Sequence, residues 1–206
     1  MFEPTNDLLS RFYYVLGLYP KLIEATRKAP KLAKNLSKAT GKIGKLGLKY
    51  EAAGKIRVFA MVDAWTQWMM GPVHGMIFSI LEKIPQDGTF NQTLPVEKLI
   101  EKFKDPKKGL SVYSIDLSAA TDRLPIHLQK VVLQEIANVT LTGLSSRALK
   151  KVSRLWADIL VRRDYYLTYP RGGEFETEKL RYAVGQPMGA LSSWAMLAIT
   201  HHALVQ

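Results

Sequence analysis

Three short stretches carry residue types whose spacing could do chemistry. The first is Ser114-Ile115-Asp116-Leu117-Ser118-Ala119-Ala120-Thr121-Asp122. Val112 to Asp116 reads as a strand entering the core, so the Asp116 carboxylate would emerge at the sheet margin. A carboxylate there is costly unless it is hydrogen-bonded or bound to a metal. Mg²⁺ favours one or two carboxylates plus phosphate oxygens of a substrate. Asp122 follows across a short Ser/Thr/Ala connection and could face the same cleft. The pair reads equally as a strand-end turn residue and a helix cap before Pro125. The second stretch, Gly185-Gln186-Pro187-Met188-Gly189-Ala190-Leu191-Ser192-Ser193, sets two glycines around a proline ahead of an expected helix. Glycine permits close backbone approach, and a helix N-terminus offers free N–H groups to phosphate or ribose. A plain strand-to-helix turn with serine capping would look the same. In the third, Gly54-Lys55-Ile56-Arg57-Val58-Phe59-Ala60, two cations alternate with apolar residues, as on a strand with one polar face. They could grip a triphosphate or simply be solvated.

The elements that must position these residues follow an α+β order. Ala64 to Leu81 reads as a helix broken at Gly71-Pro72, with Trp65, Trp68, Met69 and Met70 as core. Pro85 to Gln92 is a loop with a turn at Asp87-Gly88. Pro95 to Phe103 is a short amphipathic helix, closed by a turn over Asp105 to Gly109. Pro125 suits a first helical residue, and Leu128, Val132, Ile136 and Val139 then give one apolar face. A further helix runs around Ser145 to Leu160. Tyr165–Tyr169 and Glu178–Val184 read as strands joined through Arg171-Gly172-Gly173. Leu191 to Val205 is a final helix.

Composition narrows the chemistry. The chain has 206 residues, 47% apolar and 23% charged, with no cysteine and four histidines. That excludes disulfide scaffolds, thiolate zinc sites and cysteine nucleophiles. The net charge of +11 points to a polyanionic partner, nucleic acid or anionic membrane. Between Lys21 and Arg57 eleven basic residues face two acids, so +9 of the excess lies there. Lys28, Lys31, Lys34, Lys38, Lys42, Lys45 and Lys49 are spaced 3, 3, 4, 4, 3 and 4, which suits one stripe of a helix. Pro30 and Gly41, Gly44 and Gly47 limit that helix to about Lys31–Thr40, followed by a looser segment. Residues 1–50 are therefore read as a basic helical N-terminal region and 51–206 as the body. No stretch is long and apolar enough to span a membrane; peripheral contact through the basic helix stays open. Met1 to Pro20 carries Glu3 and Asp7 against Arg11 alone, unlike an import presequence.

In this order, Gly-Lys-Ile-Arg, Asp-Leu-Ser-Ala-Ala-Thr-Asp-Arg-Leu-Pro and Gly-Gln-Pro-Met-Gly-Ala-Leu-Ser-Ser resemble viral RNA-dependent RNA polymerases of the mitovirus and narnavirus group. Ala53 to Trp65 and Ile84 to Phe90 are similar too, and the resemblance covers about Gly44 to Gln206. It implies a helix-rich partial right-hand polymerase, fingers plus incomplete palm, acting on an RNA template and nucleoside triphosphates with Mg²⁺ or Mn²⁺. By the same resemblance Asp116 matches the first catalytic, metal-binding aspartate and Asp122 the acid that reads the incoming ribose. Lys55 and Arg57 match the cations over the triphosphate, and Gly189 and Ser193 the template-and-ribose loop. Leu197 stands where many relatives place an asparagine, so ribose discrimination would rest more on Asp122 and Ser193.

No Gly-Asp-Asp occurs in the sequence. Two metals about 3.5–4 Å apart need more carboxylates than Asp116, so the fragment is expected to be inactive alone and to hold no metal stably. A rival expectation is a non-catalytic RNA-binding module using the lysine stripe; another is a relic like the polymerase fragments captured in plant mitochondrial genomes. Both polymerase origin and relic status place the product in the mitochondrion. Apolar faces left uncovered would make the chain only marginally stable.

Overall fold

A computed structural model describes Arg11, Phe12, Tyr14 and Gly17 and residues 44–104 and 111–205. Lys28, Lys31, Lys34, Lys38 and Lys42, the helix expected over Lys31–Thr40 and the turn over Asp105–Gly109 lie outside the described residues. The chain is mixed helix and sheet, as the α+β pattern requires. Four strands, β1 (Lys45–Tyr50), β2 (Ile56–Met61), β3 (Tyr165–Arg171) and β4 (Glu174–Leu180), form one sheet in the order β2-β1-β3-β4. The β1–β2 and β3–β4 pairs are antiparallel and β1–β3 is parallel. Lys45 and Lys49 therefore stand on a strand. Gly47 removes any side chain beneath Phe59, whose ring covers it, and a glycine-weakened segment is stable here because its ladder is paired on both sides. This sheet crosses the division expected at residue 50.

The β3–β4 hairpin forms as read, with a two-residue turn. Gly172 and Gly173 take φ of 60° and 90°, the left-handed pair that a tight hairpin needs. The second strand lies at Glu174–Leu180, four residues earlier than expected.

A short 3-10 turn, Ala52–Gly54, joins β1 to β2, and six α-helices lie within residues 64–205: α1 (Ala64–Leu81), α2 (Leu94–Phe103), α3 (Ala120–Arg123), α4 (Ile126–Thr140), α5 (Ser146–Val161) and α6 (Ser193–Val205). The core is built on α1, α4, α5 and α6, around Met69, Met70, Ile77, Leu133, Trp156 and Met196, with Phe12 also buried. Helix α1 does not break. Pro72 lies on its exposed side, where the carbonyl that loses its partner can reach water. Met69 and Met70 are core as expected, whereas Trp68 is 47% exposed. The turn expected at Asp87-Gly88 falls earlier, closed by the Asp87 N–H on the Ile84 carbonyl at 3.0 Å. Helix α2 forms but buries none of its residues.

Two further expectations need correction. Helix α4 buries Gln129, Leu133 and Ala137; of the predicted face, Val132 and Ile136 pack partly buried against the core, whereas Val139 is exposed. A buried glutamine cannot be seen in an apolar period, yet here its amide is satisfied by the Leu124 carbonyl and by Gln186. Residues 111–117 form no strand. A strand needs a hydrogen-bonded neighbour, and none of the four strands lies beside them; Val112, Tyr113 and Ile115 are exposed.

A buried ion pair ties sheet to helices. Asp63 follows β2 and caps α1 by accepting the Thr66 N–H at 2.9 Å. Its other oxygen accepts from the Arg163 guanidinium at 2.6 Å, and Arg163 also donates to the Thr66 hydroxyl at 2.9 Å. Arg163 precedes β3, so one cluster joins β2, α1 and the α5–β3 connection. Burial pushes the Asp63 carboxyl up, but the Thr66 and Arg163 hydrogen bonds and the Arg163 charge hold it below its ordinary 3.8. Its contribution is complete above that value and lost as pH falls through the lower folded one. Arg163→Ala leaves a buried carboxylate unpaired and is expected to cost about 3 kcal/mol. A thermal melt at pH 7 should fall by roughly 6–12 °C for a chain of this size; a fall under about 2 °C would show that the pair does not hold the two halves.

Candidate active site

The Gly185–Ser193 loop lies between the other two stretches and touches both. At its start, the Gly185 and Gln186 N–H groups donate to the carbonyls of Asp122 and Thr121 at 3.0 and 2.9 Å. A Cβ at Gly185 would overlap both of those residues' backbone atoms. At its middle, the Ala60 N–H of β2 donates to the Met188 carbonyl at 2.5 Å. Gly189 takes φ of 108°, and a Cβ there would sit 2.5 Å from the Ala60 carbonyl oxygen. Both glycines are thus required by close approach.

Side chains fix the loop from three sides. Gln67 of α1 donates to the Gly189 carbonyl at 2.9 Å and accepts the Leu191 N–H at 2.5 Å, so one amide spans the loop. Gln186 is fully buried and donates to Gln129 at 2.6 Å and to the Ser193 carbonyl at 2.8 Å. Trp156 donates its indole N–H to the Ser192 hydroxyl at 3.0 Å, and Ser192 is held at φ 77°. Beside the loop opens a cleft of about 320 Å³, lined by Gln67, His74, Thr121, Met188, Ser193 and Trp194 among others.

The sequence-derived residues fall unevenly around this loop. Asp122 sits in α3, half-buried against the loop, and burial raises its carboxyl above the usual range. Burial and the Asp122 charge raise the Tyr182 phenol as well, opposed by the Met188 backbone N–H. Gly189 is the loop residue that meets β2. Ser193 is buried, and its hydroxyl donates to the Pro187 carbonyl at 2.6 Å, so that proton is already used within the loop. Arg57 pairs with Glu51 at 2.8 Å in an exposed bridge, and Lys49 lies 3.9 Å from the same carboxylate. Lys55 precedes β2 and is exposed. Three residues separate Arg57 from Ala60, so the cation lies about 10 Å along the strand from the loop. Asp116 is not brought to a sheet margin: it sits on the exposed irregular segment 111–117. Among the described residues no three acidic or histidine side chains come together to hold a metal.

Gln67, Tyr182 and Trp156 were not legible as loop supports, because each acts from a different element. Gln186 stands inside the Gly-Gln-Pro-Met-Gly string, and its isolation among small and apolar residues was the available signal.

The family description "Mitovirus RNA-dependent RNA polymerase" matches residues 8–206. The chain belongs to this family. It is 41% identical over 164 residues to an RNA-directed RNA polymerase of Cryphonectria parasitica mitovirus 1, covering 80% of this chain and 18% of that protein. Two uncharacterized mitochondrial proteins of Arabidopsis thaliana are 31% identical over 135 residues and 30% identical over 123 residues. These alignments cover 62% and 60% of this chain, and 43% and 52% of the Arabidopsis proteins. No solved structure matches. This member of the mitovirus polymerase family thus spans a small part of one relative and about half of the others.

Two stability measurements probe the site. Gly189→Ala places a side chain at a glycine-only φ against a carbonyl and should cost about 3 kcal/mol in chemical denaturation. Gly75→Ala, in open space on α1, should instead stabilise by about 0.5–1 kcal/mol. Equal effects would remove the claim that close approach selects Gly189. Protonated Asp122 favours folding at low pH, and that advantage is lost as pH rises through its raised folded pKa. Asp122→Asn should therefore raise the melting temperature at pH 7 and leave it unchanged near pH 3. A lower melting temperature at pH 7 would mean that the carboxylate is stabilised where it stands.

Proposed function

We propose that this chain is the fingers-and-palm portion of a mitovirus-type RNA polymerase, that it binds single-stranded RNA, and that the 206-residue polypeptide does not join nucleotides by itself. The observation that carries the reading is the Gly185–Ser193 loop bridging the Asp122 turn to β2. The matched family is described as an RNA-dependent RNA polymerase, and the bridge joins Thr121 and Asp122, the loop and Ala60 on one framework. In this reading Lys55 and Arg57 gather phosphate, and the exposed Arg57–Glu51 bridge is weak enough to exchange for a phosphate. The partly desolvated Asp122 carboxylate accepts from ribose hydroxyls. The Gly189 turn passes the template beside Met188. Ser193 supports the loop through Pro187 and reaches the sugar only if that bond opens. Lys45 and Lys49 extend the cationic surface across the sheet from Arg57.

The parent reaction uses Mg²⁺ or Mn²⁺, supplied as the charge that polarises the transferred phosphate. The described residues do not fit such a centre: Asp116 is exposed on an irregular segment, and among the described residues no three acidic or histidine side chains come together to hold a metal. No step through a metal is therefore assigned to this polypeptide. The mitochondrial relatives support a mitochondrial setting. Among the described residues no helix is long and apolar enough to cross a membrane.

The exposed Asp116 favours RNA binding without chemistry. Two measurements test this reading. Labelled-nucleotide incorporation on a primed RNA with Mg²⁺ or Mn²⁺ is expected to be absent for the pure chain and for Asp116→Ala alike. Binding to a single-stranded RNA should persist and weaken roughly 50-fold between 50 and 200 mM salt, if Lys45, Lys49, Lys55 and Arg57 each meet a phosphate. Incorporation lost in Asp116→Ala would overturn the inactivity. Binding indifferent to salt would overturn the RNA-binding role.

A further inference from the structure

A second cleft lies between the loop after α1 and helix α6, with Leu117 and Ala120 of the first stretch on its wall. It has a volume of about 480 Å³ and is lined by Gln86, Thr89, Gln92, Leu117, Trp194 and His201 among others. Beside these, Asp87 accepts from the Thr89 N–H at 2.8 Å and pairs with His202 of α6 at 2.8 Å. That bond fastens the loop to α6 and gives the cleft a fixed wall. Trp194 is the only lining residue shared with the cleft beside the Gly185–Ser193 loop, so the indole stands between the two.

Trp194 is 57% exposed although its neighbours Ser193, Ala195 and Met196 in the first turn of α6 are buried. Its ring makes a T-shaped contact with Phe78, with centroids 5.5 Å apart and planes at 77°. Phe78 meets Phe90 in the same manner at 5.4 Å. An indole fixed on one side and more than half exposed keeps aromatic surface for stacking. The chemistry around it selects the ligand. Among the described residues the lining includes no lysine or arginine, so a phosphate or triphosphate finds no cation there beyond the imidazoles. It does include the amides of Gln86 and Gln92, the Thr89 hydroxyl and the His201 ring, which offer donors and acceptors to a neutral planar group. A flat ring with mixed donors and acceptors on its edge is a nucleobase.

We propose that this cleft takes an unpaired base of single-stranded RNA, stacked on Trp194 and contacted at its edge by Gln92. The proposal rests on the RNA-binding reading and adds to it a base subsite that is separate from the phosphate-gathering strand. Stacking on an aromatic ring is tolerant of sequence and large enough to measure.

The test is fluorescence anisotropy of a labelled 12-nucleotide RNA and of a strand of equal length lacking bases, with the full 206-residue chain. Trp194→Ala should weaken binding to the RNA roughly ten-fold, and Trp194→Phe much less. On the abasic strand, wild type and Trp194→Ala should bind alike. Gln92→Ala, a change at an exposed loop residue, should alter the order of affinity for oligo-U, oligo-C and oligo-A. It keeps the proposal open to refutation if Trp194→Ala does not fold by circular dichroism. Wild-type affinity in Trp194→Ala, an equal loss on the abasic strand, or an unchanged base order in Gln92→Ala would each overturn the subsite. Salt-sensitive wild-type binding alongside any of these results leaves the RNA-binding reading standing. A wild type that binds neither strand removes both.

Discussion

The fold around the site depends on how closely three backbones approach one another. Gly185 meets the carbonyls of Thr121 and Asp122, and Gly189 meets that of Ala60. Each contact leaves no room for a Cβ, so the loop can bridge α3 and β2 only with glycine at both places. Once seated, the loop is held by amides and an indole that come from α1, α4 and α5. Gln186 makes this dependence sharpest: a buried polar group is costly unless hydrogen-bonded, and its amide nitrogen is satisfied by Gln129 and the Ser193 carbonyl, while its amide oxygen has no partner among the described residues. Displacing α4 would therefore strand a buried amide inside the loop.

Much of this was written in the sequence, but unevenly. Helices α1 and α5 and the β3–β4 hairpin were legible, because Asp63 and Ser145 cap the helices and Gly172-Gly173 permits only a tight turn. The pairing of Gly54–Ala60 with the Gly-Gln-Pro-Met-Gly string was legible only through family resemblance, since neither stretch carries a mark of its partner. Strand β1 was read as a looser segment because Gly41, Gly44 and Gly47 weaken the lysine stripe there, while pairing with β2 and β3 orders it as a strand. Segment 111–117 was misread for the opposite reason. Its alternation is strand-like, but alternation without a neighbour makes no strand. The same fact explains why Asp116 and Asp122, close in sequence, have unlike surroundings: α3 is anchored by the loop's N–H groups and the preceding residues are not.

The Asp63–Arg163 cluster plays a different part. It does not touch the loop, yet it joins the end of β2 to the start of β3, and β2 is the strand on which Gly189 rests. A charged pair is a costly way to make such a joint, but it fixes direction as well as distance, because both Asp63 oxygens and two Arg163 nitrogens are engaged. The aromatic ring of Tyr165 closes over it, with the guanidinium carbon 5.9 Å from the ring centre.

Register gives the sheet two unlike sides. Partners across a ladder point the same way, so Arg57 shares a face with Lys49, and Lys45 shares it with Tyr166 and Lys179. The opposite face runs from Leu46 and Leu167 to Glu178, with Glu176 and Glu174 beyond it on β4. The sheet thus carries Lys45, Lys49, Arg57 and Lys179 on one face, and on the other apolar residues with the β4 glutamates, which Arg171 partly neutralises. A polyanion diffusing past is favoured on the first face, so encounters are sorted by orientation before any contact forms. Sidedness that would otherwise need a specific docking surface is set by the alternation of four strands.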